Sequence, residues 1–263
     1  MTASALEVAR TGLEAQDTRM RVIANNLANV STTAFKRDRA NFATLAYQNT
    51  RVAGQQSTSD TDYATGLNVG TGVAIQSTTP LETQGTLNST GNTLDMAIQG
   101  DGFFQVQMPD GSTGYTRAGN FSMSSQGQIV TSQGYVLQPP ITIPPGSQSV
   151  TIGTDGTVSA VAPGATGPTQ LGQITTATFT NPAGLQTSSD NFLMETGASG
   201  PPQVAVAGLT GHGTIAQGML EQSNVNVVQE MVDMIDCQRS YEINSKMISS
   251  VDDMLKNANQ TIS

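Results

Sequence analysis

One histidine and one cysteine are the side chains best suited to imidazole or thiolate chemistry, and each is alone of its type in this chain. His212 stands between Gly211 and Gly213. With no second histidine to make a metal pair, it reads as an ordinary loop residue. Cys237 falls in a row of apolar residues at helical spacing, with no cationic partner evident for a thiolate. It reads as packing. Asp60 and Asp62 could form a carboxylate pair, but in "STSDTDYATG" both read as solvated. In "QGDGFF", Gly100 and Gly102 lack a third glycine and lead into a strand, so they do not make a phosphate cradle. Asp110-Gly111 and Asp155-Gly156 are turn pairs without calcium-loop spacing. Catalytic residues, metal and cofactor are therefore all expected to be none, and the chain is expected not to be an enzyme.

A different chemistry stands out in "RVIANNLANVSTTAFKR", residues 21–37. Asn25, Asn26 and Asn29 crowd one helical turn, although Asn costs roughly 0.5 kcal/mol against Ala in a helix. Neutral hydrogen bonds at about 1 kcal/mol each offset that cost if partners exist. The helix that carries them shows a stripe at positions 6, 9, 13, 16, 20, 23, 27 and 30, with Leu6, Leu13, Met20, Ile23 and Leu27 on it. The three asparagines fall off that stripe, which predicts contacts from its flanks to neighbouring helices. Ser4 and Glu7 have capping-box spacing.

The last forty residues repeat the pattern at 234, 237, 241, 244, 248, 251, 255 and 258, with Met234, Tyr241, Ile248, Val251 and Leu255 as the large members. Asn226 with Gln229 reads as a cap, and Glu230 and Asp233 in the early turns suit the helix dipole. Steps of three and four make a narrow seam of the coiled-coil kind. Neither helix is expected to be stable alone, so the two are predicted to pair antiparallel.

Between them the period drops to two. "GFFQVQMPDGSTGYTR" reads as a hairpin, "NFSMSSQGQIVTSQGYVLQ" as short strands, "SVTIGTDGTVSAV" as a second hairpin and "QITTATF" as a strand. The expected fold class is α+β: an antiparallel coiled-coil pair, a mostly antiparallel β domain and a long extended connecting segment. The expected boundaries are 1–31 with 222–263 for the helices, 32–80 for the connecting segment and 81–221 for the β domain, with a loop-rich connector near 200–221. In the connecting segment Tyr47, Tyr63, Leu67 and Val69 interrupt a polar, Gly-rich run, as an extended hairpin lying against neighbours would require.

Charge narrows the partners. Net charge is −9, and Arg117 is the one base in residues 52–220, which carry 9 acidic residues. Such a surface has no footprint for phosphate backbones, so no nucleic acid is expected. No apolar run reaches the roughly 20 residues that span a bilayer, and the start lacks a secretory pattern.

Several segments taken together resemble the flagellar axial family of rod and hook subunits. They are "ANNLANVST" with "FKR", "GLNVGTGV", "IQGDGFFQV", "PDGSTGYTRAGNF", "GQIVTSQGYVLQP", and "LEQSNVNVVQEMVDMI" running into "QRSYEINSKMISSVDDML". Within the family the resemblance is to the distal rod type. It implies a periplasmic structural subunit of the basal body, exported by the flagellar type III apparatus without signal cleavage. It implies as partners further copies of itself in a helical homopolymer, proximal rod proteins, hook protein, and the L and P bushing rings. The terminal helices would line the tube, with the β domain outside. Residues in the matched ends become candidates for subunit contacts: Asn25, Asn26, Asn29, Phe35, Lys36 and Arg37 at one end. At the other they are Asn224, Asn226, Gln238, Arg239, Glu242 and Asn244. The neighbouring readings are a proximal rod or hook-type axial protein, and, from another class, a β-rich adhesin on a helical stalk. The adhesin would need an exposed aromatic site, yet the chain has no Trp and 5% aromatics.

Overall fold

A computed structural model of the chain describes residues 2–58, 61–147, 149–163, 167–209 and 211–262. The side chains of Ser4, Asp60, Asp62, Leu255 and Ala258, which entered the sequence reading, lie outside what is described. The residues fall into two compact units: 1–28, 38–79 and 226–263 in one, 29–37 and 80–225 in the other.

The first unit holds the two long helices, α1 (Thr2–Ala28) and α2 (Val227–Ile262). They pair antiparallel, since residues 16 and 26 of α1 meet residues 237 and 230 of α2 respectively. At 1.5 Å per residue they extend about 40 and 54 Å. α2 begins at the expected cap: Asn226 Oδ1 accepts from the N–H groups of Val228 and Gln229, at 3.0 and 3.3 Å.

Residues 38–79 of this unit form a long hairpin. Strand Asp38–Thr44 pairs with Val73–Pro80, Tyr47–Arg51 with Leu67–Gly70, and Gln56–Thr58 with Thr61–Asp62. A free two-stranded ribbon is marginal in water. This one leans on α1 where Thr11 Oγ1 accepts from the N–H of Val73 at 3.3 Å. Gly72 makes that approach possible. Its φ is +123°, and a Cβ there would lie 2.2 Å from Thr11 Oγ1.

The second unit is built on antiparallel strands, and its short helical pieces are single 3-10 turns at Pro182–Gly184 and Ser189–Asn191. Phe103–Gln107 is the hub. It pairs with Thr113–Thr116 on one side, and on the other with Val136–Gln138 and Thr175–Thr178. Ser149–Ile152, Thr157–Val161 and Thr169–Gln173 make a separate three-stranded sheet. The strand Met96–Gln99 pairs with Thr214–Gln217, and Leu87–Ser89 with Met219–Glu221.

Alternation along the hub strand divides the core as a period of two requires. Phe104 and Val106 point into the large cluster with Met96, Ile98, Ile129, Leu137, Ile174 and Ile215. Phe103 points the other way, into a smaller cluster with Tyr115, Phe179 and Leu185. Tyr115 and Phe179 meet edge to face at 4.8 Å, a favoured aromatic geometry. The observed α+β architecture, with a terminal helix pair and a mostly antiparallel β unit, is the one the periodicities predict.

Candidate functional site

The stretch 21–37, which raised the question of a site, is shared between two polar clusters, one in each unit. In the helical unit the centre is Asn26, which is 1% exposed. This differs from the flank position expected of it, and the reason is geometric. A straight helix drifts about 20° per heptad from a 3.5-residue repeat, so a neighbouring row can take over the contact face. Here the covered face of α1 includes Ala9, Ala15, Ile23 and Asn26, while Leu6, Leu13, Met20 and Leu27 are half-buried beside it. Small residues at 9, 12 and 15 permit close approach, and Gly12 faces the amide of Asn244.

The partner of Asn26 is Glu230, fully buried in the first turn of α2. Asn26 Nδ2 donates to Glu230 Oε2 at 3.2 Å and to the carbonyl of Asp38 at 2.9 Å. Its Oδ1 accepts from the Asp38 N–H at 2.9 Å. Burial pushes the Asp38 carboxyl above the ordinary aspartate range. Further layers of the seam are polar too. Arg19 Nη2 lies 3.8 Å from Asp233, and the Cys237 thiol donates to the Gln16 carbonyl at 3.2 Å. Burial pushes that thiol up against the opposing Arg19 charge, with a smaller push from Asp17, and the side chain is fully buried.

In the β unit the centre is Glu221, whose side chain is 0% exposed. Lys36 Nζ donates to its Oε1 at 2.6 Å, Arg117 Nε to its Oε2 at 2.9 Å, and the Gly85 N–H to Oε1 at 2.9 Å. Burial alone would push this carboxyl up. The Arg117 charge and the Lys36 bond and charge outweigh it and hold Glu221 below the usual glutamate range. Arg117 spends its other donors on the carbonyls of Gly102, Gly100 and Ile98. The Gly-x-Gly of "QGDGFF" thus serves as a carbonyl cup for a guanidinium. Beside this cluster Asn224 Oδ1 accepts from the Arg37 N–H at 2.7 Å, and Asn224 Nδ2 donates to Leu81 and Thr83 carbonyls. The carbonyl of Phe35 accepts from the Asn224 N–H.

The remaining sequence candidates are spread out. Asn29 Oδ1 accepts from the Thr32 hydroxyl at the end of α1. Asn25, Gln238, Arg239 and Glu242 are exposed on the helices, as is Asn226 apart from its capping oxygen. Met234, Ile248 and Val251 are half-buried, whereas Tyr241 is exposed and Ser240 takes the more covered place beside it, the same drift as on α1. Val228, Met231, Val232, Ile235, Ile243 and Met247 are exposed apolar residues along α2. On the hairpin Tyr47, Leu67 and Val69 are exposed, and Tyr63 lies under the Arg51 guanidinium at 4.1 Å from its ring centre. Both ring nitrogens of His212 lie near threonine hydroxyls, Thr176 at 3.0 Å and Thr178 at 3.4 Å. Among the described residues no group of three or more His, Cys, Asp or Glu could hold a metal ion, and no helix is long and apolar enough to cross a membrane. The sequence marks Glu230 only as an early-turn residue suited to the helix dipole and does not single out Glu221. The one available signal was that a lone arginine in a long acidic stretch needs a carboxylate.

Comparison with known proteins covers both clusters. Three family profiles match: the flagella basal body rod protein profile at 6–36, the flagellar hook protein FlgE/F/G D1 domain at 97–160, and the flagellar basal body rod FlgEFG protein C-terminal profile at 216–261. The flagellar basal-body rod protein FlgG of Buchnera aphidicola subsp. Schizaphis graminum is 49% identical over 255 residues, covering 97% of this chain and 98% of that relative. FlgG of Caulobacter vibrioides is 46% identical, again covering 97% of this chain and 98% of the relative. The flagellar basal-body rod protein FlgF of Salmonella typhimurium is 34% identical, covering 92% and 91%. With paired helical ends, a β unit between them and near-complete alignment to rod proteins, the chain belongs to the flagellar basal-body rod protein family.

Proposed function

We propose that the chain is a structural subunit of the distal rod, polymerising into a rigid helical tube that carries motor torque through the periplasm to the hook. The observation that carries this reading is the 49% identity to a basal-body rod FlgG over 97% of the chain. The exposed apolar residues along α2 support it, because a helix at a monomer surface ordinarily turns such residues inward. A subunit repeated by an open screw operation makes heterologous contacts and a filament rather than a closed ring.

On this reading the chain has no enzymatic role. Its partners are other copies of itself, the proximal rod proteins below, the hook protein above, the L and P ring proteins around it and the type III export apparatus that delivers it without signal cleavage. The exposed candidates of the helices, Asn25, Gln238, Arg239 and Glu242, are proposed contacts between copies.

Negative-stain microscopy of the concentrated purified chain tests this. Straight filaments or short tubes are expected. A chain that stays monomeric at every concentration, and that fails to restore motility to cells lacking their own FlgG, would overturn the reading.

A further inference from the structure

The seam between α1 and α2 contains an ambiguity. Its facing positions recur every seven residues: buried Ala9 and Ile23 with half-buried Gln16 between them on α1, and buried Glu230 and Cys237 followed by half-buried Asn244 on α2. Sliding one helix by a heptad would bring Cys237 against Ile23 or Ala9 in place of Gln16, with apolar neighbours in either case. Apolar contact is non-directional and separates such alignments poorly. A pairing between helices of different copies would suffer from the same ambiguity.

Asn26 and Glu230 break the degeneracy. The amide of Asn26 makes three hydrogen bonds: two with the backbone of Asp38, where its own chain leaves α1, and one with the Glu230 carboxylate. Those bonds join the last turn of α1, the start of the hairpin and the first turn of α2. A shift one way leaves Asn26 facing Cys237. A shift the other way brings Glu230 to Arg19, but carries Asn26 past the start of α2 and takes Arg19 from Asp233. Each alternative leaves the buried amide or carboxylate without this partner, a large cost in a low-dielectric seam. A single buried polar position is known to fix alignment in coiled coils at some cost in stability.

We propose that the buried Asn26–Glu230 pair, anchored to Asp38, selects the alignment of the terminal helices rather than adding to their stability.

The native Cys237 provides the readout, since its sulfur lies 3.2 Å from the Gln16 carbonyl. Three reporters are made in the full-length chain, Gln16→Cys, Ala9→Cys and Ile23→Cys, each oxidised against Cys237 and resolved on non-reducing gels. In the otherwise native chain the Gln16→Cys disulfide is expected to exceed the other two about tenfold, as an intramolecular product. With Asn26→Leu and Glu230→Leu added together, helical circular dichroism is expected to persist. The disulfides should then spread to Ala9→Cys or Ile23→Cys. Glu230→Gln alone, which keeps a hydrogen-bonding side chain opposite Asn26, should preserve the native pattern. Retention of the Gln16→Cys disulfide as the dominant product in the double variant would overturn the proposal. So would loss of its helical signal, which would make the pair a stabilising element, or equal yields from all three reporters in the native background.

Discussion

Glu221 brings two cations, Lys36 and Arg117, to one carboxylate inside the β unit. Removing its charge leaves both cations buried without their counter-ion. Glu221→Gln is therefore expected to destabilise the chain by about 3–5 kcal/mol, the usual cost of breaking a buried ion pair from one side. The urea midpoint followed by far-UV circular dichroism measures it. The same residue gives the acid limb of stability a direction. Because its folded pKa is held below the unfolded value, its contribution is complete above the ordinary glutamate range and is lost as pH falls through the depressed folded value. The urea midpoint of the native chain should fall through that acid window, and the variant should lack this component. Beyond the hint that the lone Arg117 needs a carboxylate, this was not legible in the sequence, because Glu221 lies 104 residues from Arg117 and 185 from Lys36. Only the β topology brings them together.

At the scale of elements, the helices and hairpins were legible because their periods are strong and their caps and turns are local. The cap at Asn226 followed from spacing alone. Replacing it by Ala is expected to cost about 1 kcal/mol and to fray the first turn of α2. Hydrogen exchange at Val228 and Gln229, whose amides it accepts from, would show the loss first. Which face of α1 meets α2 was less legible. Of the predicted stripe, Ala9 and Ile23 are buried, whereas Leu13, Met20 and Leu27 are half-buried, and Ala15 and Asn26 from off the stripe complete the covered face. Side-chain size and hydrogen-bond partners across the seam decided the rotation, and neither is visible along one helix. That is why Asn26 was expected on a flank and is found at the centre of a cluster.

At the scale of the molecule, the hairpin 38–79 is the part with most to gain from neighbours. Tyr47, Leu67 and Val69 on its strands, and Val52 just beyond one of them, are exposed. In the proposed polymer those residues lie against adjacent subunits and add stiffness. Shortening residues 50–72 should give filaments that bend more, read as a shorter persistence length in electron micrographs. Filaments as straight as those of the native chain would exclude that role for the hairpin.

The apolar row left open along α2 also has a thermodynamic consequence. Covering Val228, Met231, Ile235, Ile243 and Met247 by a neighbour removes hydrocarbon surface from water. Association through that row carries a negative heat-capacity change, and its driving force fades on cooling. Opening the α1–α2 seam exposes amide, carboxylate and guanidinium groups along with its smaller apolar ones, whose heat-capacity contributions have opposite signs. In the proposed polymer, temperature is therefore expected to act more strongly on a contact between copies through that row than on the pairing within one, so that cold would loosen the polymer before the subunit.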